Sequence, residues 1–239
     1  MAGERVLVVD DDPGVRNQVR SILAHNGFTV LTAASGPEAL QTVDAAQPAL
    51  VVLDITLSGE DFSSMEPPMD GIEVLRRLRS RPGLCVLMLS STGAEIVKVL
   101  ALSIGADDYL TKPFSGEELA ARVKAILRRR ALGDAPSEGP PLVFGALRID
   151  QGARQAWRGQ SLLDLTPTEY GLLVALARNP GRVLSREQLM EQAWPRGGAS
   201  DERTVDVHIG RLRKKLEADP DAPQFITTVR GAGYRLERE

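Results

Sequence analysis

Residues 49–54 read Ala-Leu-Val-Val-Leu-Asp, a short apolar run that ends in a carboxylate. Such a run reads as a buried strand, and the carboxyl ends of strands in open α/β sheets are where ligands bind and chemistry is done. Three other runs end in the same way. Val6-Leu7-Val8-Val9 leads to Asp10 and Asp11, Val86-Leu87-Met88-Leu89 to Ser90, and Tyr109-Leu110-Thr111 to Lys112. A parallel sheet would therefore collect three carboxylates, a hydroxyl and an ammonium at one edge. One such acid alone is usually a helix cap or a solvated strand end. The ordered set, each member closing its own strand, points instead to a divalent metal and a phosphoryl group.

The chemistry of that set is specific. Clustered carboxylates repel and raise one another's pKa. A hard cation such as Mg²⁺ (or Mn²⁺) relieves the repulsion, prefers oxygen ligands and keeps positions for water and phosphate. With the metal and Lys112 neutralising a phosphoryl donor, Asp54 can act as the nucleophile and form an aspartyl-phosphate. Ser90 can then hydrogen-bond a phosphoryl oxygen.

The surrounding pattern predicts two domains, as a chain of 239 residues allows. Residues 1–130 alternate strand and helix five times, the grammar of a doubly wound, five-stranded parallel sheet. Asp12 and Pro13 open the first helix as N-cap and first helical residue. Ser35-Gly-Pro-Glu38 and Ser115-Gly-Glu-Glu118 read as capping boxes of later helices. Residues 131–141, rich in Gly, Pro and acid, read as a flexible linker.

Residues 142–239 follow another grammar, short strands before three helices and a hairpin. Leu142–Ile149, Gln155–Trp157 and Ser161–Leu163 are strand-like. Thr166-Pro-Thr-Glu169 and Ser185-Arg-Glu-Gln188 open two helices. A third, about Asp201–Glu217, would bury Val205, Ile209, Leu212 and Leu216. Its opposite face holds Arg203, Val207, Gly210 and Lys214, flanked by Arg211, and is basic and small enough for a major groove. A solvated helix back is the plain alternative. Phe225–Arg230, Gly231-Ala-Gly233 and Tyr234-Arg-Leu236 form the hairpin.

Charge decides weakly: fifteen Lys and Arg against thirteen acids give this half +2, leaving −5 for residues 1–141. Positive charge must then be local, with Arg203, Arg211, Arg213, Lys214, Lys215, Arg230 and Arg235 as candidates. No apolar run approaches a membrane span, and the N-terminus lacks a signal-peptide pattern, so a cytoplasmic protein is expected. The single Cys85 reads as a buried thiol, and His25 and His208 as helix-surface residues with no zinc spacing.

The segments RVLVVDDDPGVR, ALVVLDITL, MDGIEVLRRLR, VLMLSS and GADDYLTKPF make residues 5–130 resemble the receiver domain of two-component response regulators, a CheY-like (flavodoxin-like) fold. The resemblance implies Asp54 as phospho-acceptor, Asp10 and Asp11 as the metal pair with Asp11 the direct ligand, and the Thr56 main-chain carbonyl as a further ligand. It also implies Ser90 and Tyr109 as switch residues, Lys112 as the phosphate partner, and a cis bond before Pro113. One departure is plain. Ser58 replaces the usual proline, and roughly nine residues are inserted before Asp70-Gly71, as a solvated surface loop or as a lid over the acceptor.

LTPTEYGLL, GRVLSREQLMEQAW, ERTVDVHIGRLRKKL and ITTVRGAGYRL make residues 142–237 resemble the winged helix-turn-helix effector of the OmpR/PhoB class, an α+β domain. This implies a recognition helix at Arg203–Leu216 with Arg211 reading bases, and a wing at Thr228-Val-Arg230-Gly with Arg230 in the minor groove. Trp194 and Arg213 become backbone contacts, while Lys214, from its place on the helix face, is expected to contact phosphate, and Gly210 stands where many members carry Arg. Implied partners are a sensor histidine kinase, double-stranded promoter DNA, RNA polymerase as a further contact, and a second copy after phosphorylation. The dimer face would use Lys98, Val99, Leu102, Asp107, Asp108, Glu118, Ala120 and Arg122. Two rivals stay open: an Asp-nucleophile phosphatase, which would normally carry a second acid where Thr56 stands, and a phosphorylation-independent DNA-binding scaffold.

Overall fold

The computed structural model describes residues 3–57, 69–81, 83–92, 94–131, 140–193 and 202–238. The chain divides into two compact units, Met1–Leu127 and Arg128–Glu239. In the first, β1 (Arg5–Val9), β2 (Thr29–Ala33), β3 (Leu50–Asp54), β4 (Cys85–Ser90) and β5 (Asp108–Thr111) form one parallel sheet in the order β2-β1-β3-β4-β5. The helices are α1 (Pro13–His25), α2 (Gly36–Ala46), α3 (Gly71–Leu78), α4 (Glu95–Ile104) and α5 (Gly116–Ala131).

β3 and β4 are buried along their whole length, which is why they read as unbroken apolar runs. On one face of the sheet Val6, Val8, Leu50, Val52, Leu87 and Leu89 pack with Val19 and Leu23 of α1 and Leu119, Val123 and Ile126 of α5. Burying each such side chain contributes about 1.5–3 kcal/mol. Cys85 is buried in that layer.

Local signals set the helix starts. The Asp12 carboxylate accepts from the N–H of Gly14 and Val15, and Ser35 and Ser115 accept from Glu38 and Glu118. Gly71 opens α3 for a different reason. A Cβ there would lie 1.9 Å from the Asp54 carbonyl oxygen, so only glycine lets the helix start press against the backbone of the acceptor residue. Its N–H donates to Ile55 O at 3.0 Å.

The second unit holds a four-stranded antiparallel sheet, β6 (Leu142–Phe144), β7 (Leu147–Asp150), β8 (Gln155–Arg158) and β9 (Ser161–Leu162). Leu142–Ile149 is thus a hairpin rather than one strand, turning at Gly145 with φ 53°. Three helices follow, α6 (Pro167–Ala177), α7 (Arg186–Ala193) and α8 (Arg203–Leu216), then the hairpin β10 (Ile226–Val229) and β11 (Gly233–Leu236). α6 begins with a complete capping box between Thr166 and Glu169. Gly233, at φ 144°, brings β11 so close to Leu184 that a Cβ would lie 2.0 Å from the Leu184 carbonyl oxygen. Backbone bonds between Leu184 and Tyr234, 2.8 and 3.0 Å, close that contact.

Val205, Ile209, Leu212 and Leu216 are buried, as the period requires. His25 is exposed, but His208 is fully buried on α8 and is not a surface residue. Ser58, most of the expected insertion, most of the linker and Trp194 lie outside the described residues.

Candidate phosphoryl-acceptor site and candidate nucleic-acid interface

The sheet register brings the polar strand ends together: Val9 lies opposite Leu53, Asp54 opposite Leu89, and Ser90 opposite Thr111. Asp10, Asp11 and Asp54 each offer a carboxylate oxygen, and these lie within 4.8 Å of one another. Lys112 Nζ lies 2.7 Å from Asp10 Oδ2 and 2.9 Å from Asp54 Oδ1. Asp10 is further fixed by accepting from the Asp12 N–H at 3.0 Å, and Arg16 donates to its carbonyl. The Lys112–Pro113 peptide is cis.

The electrostatics follow from burial. Asp54 is 3% exposed, and desolvation pushes its carboxyl above the ordinary range. Lys112 pulls it back, while Asp10 and Asp11 push it up again. Burial alone would lower Lys112, but its bonds to Asp10 and Asp54 outweigh that and hold it above its usual value. An oxygen-only cluster with one cation fits a hard divalent ion, and Asp10, Asp11 and Asp54 are the residues that could hold it. Thr56 is exposed two residues beyond Asp54.

Ser90 is fully buried and its hydroxyl accepts from the Thr92 N–H at 3.1 Å. The Tyr109 hydroxyl donates to the Thr92 carbonyl at 2.7 Å. Both expected switch residues therefore hold the same residue after β4. Thr92 was not anticipated, and no sequence signal marks it.

The expected dimer face needs revision. Leu102 and Ala120 are 1% and 4% exposed and belong to the domain's own core. Asp107 is fully buried, accepting from Val86 N–H at 2.9 Å with Arg79 3.9 Å away. Arg122, also buried, bonds Asp108 at 3.0 Å and Glu118 at 2.8 Å within the protomer. Of the expected apolar patch Val99 is exposed, and Ile96 and Leu100 of α4 are exposed beside it.

On α8 the exposed face holds Arg203 and Lys214, with Val207 and Gly210 half-buried between them. Arg211 does not belong to it. Its Nε lies 2.7 Å from Oε1 of fully buried Glu169, and Lys215 Nζ lies 2.7 Å from Oε2 of the same carboxylate. In this structure the residue expected to read bases links α6 and α8. Arg213 is likewise committed, donating to Ile226 O at 2.9 and 2.7 Å and to Thr228 Oγ1 at 2.8 Å. The buried Glu217 carboxylate accepts from the N–H groups of Gln224, Phe225 and Ile226. Arg230 stands exposed in the turn of the hairpin.

Asp206 of α8 accepts from Arg186 and from the Tyr234 hydroxyl, both at 2.7 Å. Burial, helped by Asp206, pushes the Tyr234 phenol up to about 12. Among the described residues no helix is long and apolar enough to cross a membrane.

Comparison with known proteins agrees with this geometry. Residues 6–124 match the response regulator receiver domain, and residues 159–236 match the C-terminal domain of transcriptional regulatory proteins. The chain is 42% identical to the alkaline phosphatase synthesis transcriptional regulatory protein PhoP of Bacillus subtilis, over 98% of this chain and 97% of that one. It is 43% identical to the DNA-binding response regulator MtrA of Mycolicibacterium smegmatis, over 97% and 96%. A solved RitR mutant superposes with a TM-score of 0.79 at 28% identity, over 99% of this chain and all of that one. DrrB, an OmpR/PhoB homologue from Thermotoga maritima, is 32% identical with a TM-score of 0.50, over 98% and 99%. The chain belongs to the OmpR/PhoB class of two-component response regulators, a receiver domain joined to a DNA-binding winged helix-turn-helix domain.

Proposed function

We propose that this regulator accepts a phosphoryl group on Asp54 from a partner histidine kinase and that phosphorylation favours a homodimer that binds promoter DNA. The observation that carries the reading is the Lys112 ammonium set between Asp10 and Asp54, beside Asp11, at the carboxyl edge of the sheet. Asp10, Asp11 and Asp54, with the Thr56 carbonyl, would hold Mg²⁺ or Mn²⁺, which neutralises charge on the phosphoryl oxygens. Asp54 supplies the attacking carboxylate oxygen. A P–O bond forms as the P–N bond of a phosphohistidine breaks, and the imidazole leaves with the electron pair.

Lys112 moves from Asp54 to a phosphoryl oxygen once the carboxylate is esterified. Ser90 accepts through its oxygen from Thr92, which leaves its proton for a second phosphoryl oxygen. Drawing Ser90 toward phosphate disturbs Thr92, and Thr92 also anchors Tyr109. That shared residue gives the acceptor a route to α4, whose exposed Ile96, Val99 and Leu100 offer an apolar surface for a second copy, with Lys98 and Glu118 as accompanying charges. On α8 and the turn of the β10–β11 hairpin, Arg203, Lys214 and Arg230 are exposed cations that would face DNA.

The test is intact mass after incubation with a small phosphodonor and Mg²⁺. A single stable phosphoryl adduct on the wild type, absent from Asp54→Asn, is expected. An adduct of equal yield on the Asn variant refutes the assignment, and steady turnover without an adduct indicates a phosphatase.

A further inference from the structure

The four-stranded sheet of the second unit has two unlike faces. Phe144, Leu147, Ile149 and Ala156 lie in the core, with Leu142 and Leu163 packed against it. Strand alternation sends Val143, Arg148, Trp157 and Leu162 to the other side. The register sets these four in one row across the strands: Val143 opposite Arg148, Arg148 opposite Trp157, and Trp157 opposite Leu162.

The solvated face of an antiparallel sheet is ordinarily polar, and this row is not. Val143 and Leu162, on the two edge strands, are 62% and 56% exposed. Among the described residues of the second unit no other large aliphatic side chain is exposed. Between them Trp157 is half-buried, and the exposed Arg148 carries its guanidinium over the indole, 4.0 Å from the ring centroid. Stacking on the ring restrains that guanidinium. Among the described residues no hydrogen bond or ion pair takes up its N–H groups. Asp150, two residues along the same strand, accepts instead from the Ala153 N–H at 2.8 Å. The row is therefore an oriented cation with an open aliphatic side chain at each end.

Charge and spacing name what fits it. A guanidinium fork with its donors available matches a carboxylate. Neighbouring strands lie about 4.8 Å apart, so the row from β6 to β9 spans roughly 14 Å. An extended chain advances about 3.3 Å per residue, so its side chains at i, i+2 and i+4 share one face over about 13 Å. The outer two would then meet Val143 and Leu162, and the middle one the Arg148–Trp157 pair. A nucleic-acid phosphate would satisfy Arg148 but leave both aliphatic side chains in water. A second copy of the same face would bring Arg148 toward a like charge.

We infer that the outward face of this sheet docks an extended segment of a protein partner, one that carries Asp or Glu with apolar residues two positions before and two positions after it. The carboxylate takes the Arg148 fork, and the apolar residues cover Val143 and Leu162.

The experiment uses the full chain. Random peptides displayed on phage are selected on the wild type, and the enriched sequences should share an acid flanked at those two positions by apolar residues. A labelled synthetic peptide of enriched sequence is then titrated by fluorescence anisotropy. It should bind about ten-fold more tightly than its Glu→Gln counterpart, as expected for a hydrogen bond to a charged group, and Arg148→Gln should bind the two alike. The peptide comparison on the wild type needs no variant, so it decides the matter even if Arg148→Gln folds poorly. Absence of enrichment, enriched sequences without a shared acid, or equal binding of the two peptides overturns the inference. So does an acid preference that survives in Arg148→Gln, which places the site elsewhere. A salt slope for duplex binding lowered by about one in Arg148→Gln gives the residue to phosphate, and a dimer abolished by Leu162→Ser gives the face to a second copy; either result also overturns it.

Discussion

Replacing Glu169 by glutamine is the sharpest test of how the effector domain is held together. The Glu169 carboxylate has no solvent exposure and sits between Arg211 and Lys215, whose side chains are 12% and 28% exposed. It also accepts from Thr166 N–H at 2.9 Å. Glutamine keeps the shape and can still cap Thr166, so the helix start survives. The negative charge does not, and two cations are left facing a neutral amide. Removing one partner of a buried pair costs about 3–5 kcal/mol. Lys215 also donates to Asp164 O and is the more exposed of the two, which favours the lower end, about 3 kcal/mol. Domains of this size are stable by about 5–15 kcal/mol, and each kcal/mol moves their melting temperature by about 4–8 °C, so a drop on the order of 10–20 °C is expected. Both tryptophans, Trp157 and Trp194, belong to this unit, so their fluorescence follows it alone within the full chain. A double-mutant cycle with Arg211→Met isolates the pair. An E169Q midpoint within about 0.5 kcal/mol of the wild type would refute the argument.

Three further outcomes follow from the same geometry. Gly71→Ala should unfold the receiver or expel the start of α3, since its Cβ would lie 1.9 Å from the Asp54 carbonyl; urea unfolding followed by circular dichroism reads this, and a wild-type midpoint contradicts it. Lys214→Ala should weaken specific and scrambled duplexes alike and lower the salt slope by about one, whereas Arg211→Ala should lower thermal stability more than base discrimination; loss of discrimination at unchanged stability would return Arg211 to the groove. The Tyr234 phenol ionises near 12 rather than at its ordinary 10.0, so its bond to Asp206 contributes fully below pH 10 and is lost as pH rises toward 12; in an ultraviolet titration the last phenolate to appear should be missing from Tyr234→Phe.

Much of this was legible in the sequence because each site residue closes its own strand. The runs before Asp10, Asp54, Ser90 and Lys112 carry both the parallel sheet and its chemistry, since in a sheet buried on both faces the polar residue marks the strand's end. Helical periodicity likewise placed Val205, Ile209, Leu212 and Leu216 inside. It failed for Arg211 because a helical wheel gives direction without the neighbour that waits there. Thr204, His208, Arg211 and Lys215 form a second inward stripe. One signal for it was available: an acid in the apolar helix α6 needs a cation when buried, and Arg211 and Lys215 are spaced to share it. Gly145 could have divided Leu142–Ile149 in the same way. The dimer face misled for a related reason, because Asp108, Glu118 and Arg122 satisfy one another within the protomer.

The ties from α8 to the hairpin reach beyond stability. Arg213 grips Ile226 and Thr228, and Glu217 caps the start of the same strand through three N–H groups. Helix and hairpin are therefore two prongs of one rigid caliper, with Arg203 and Lys214 on one prong and Arg230 at the tip of the other. A caliper measures before it reads. If α8 enters a major groove and Arg230 the neighbouring minor groove, as proposed, the protein sets the distance between the two contacts, and a duplex with one base pair added between them should fail to satisfy both prongs at once.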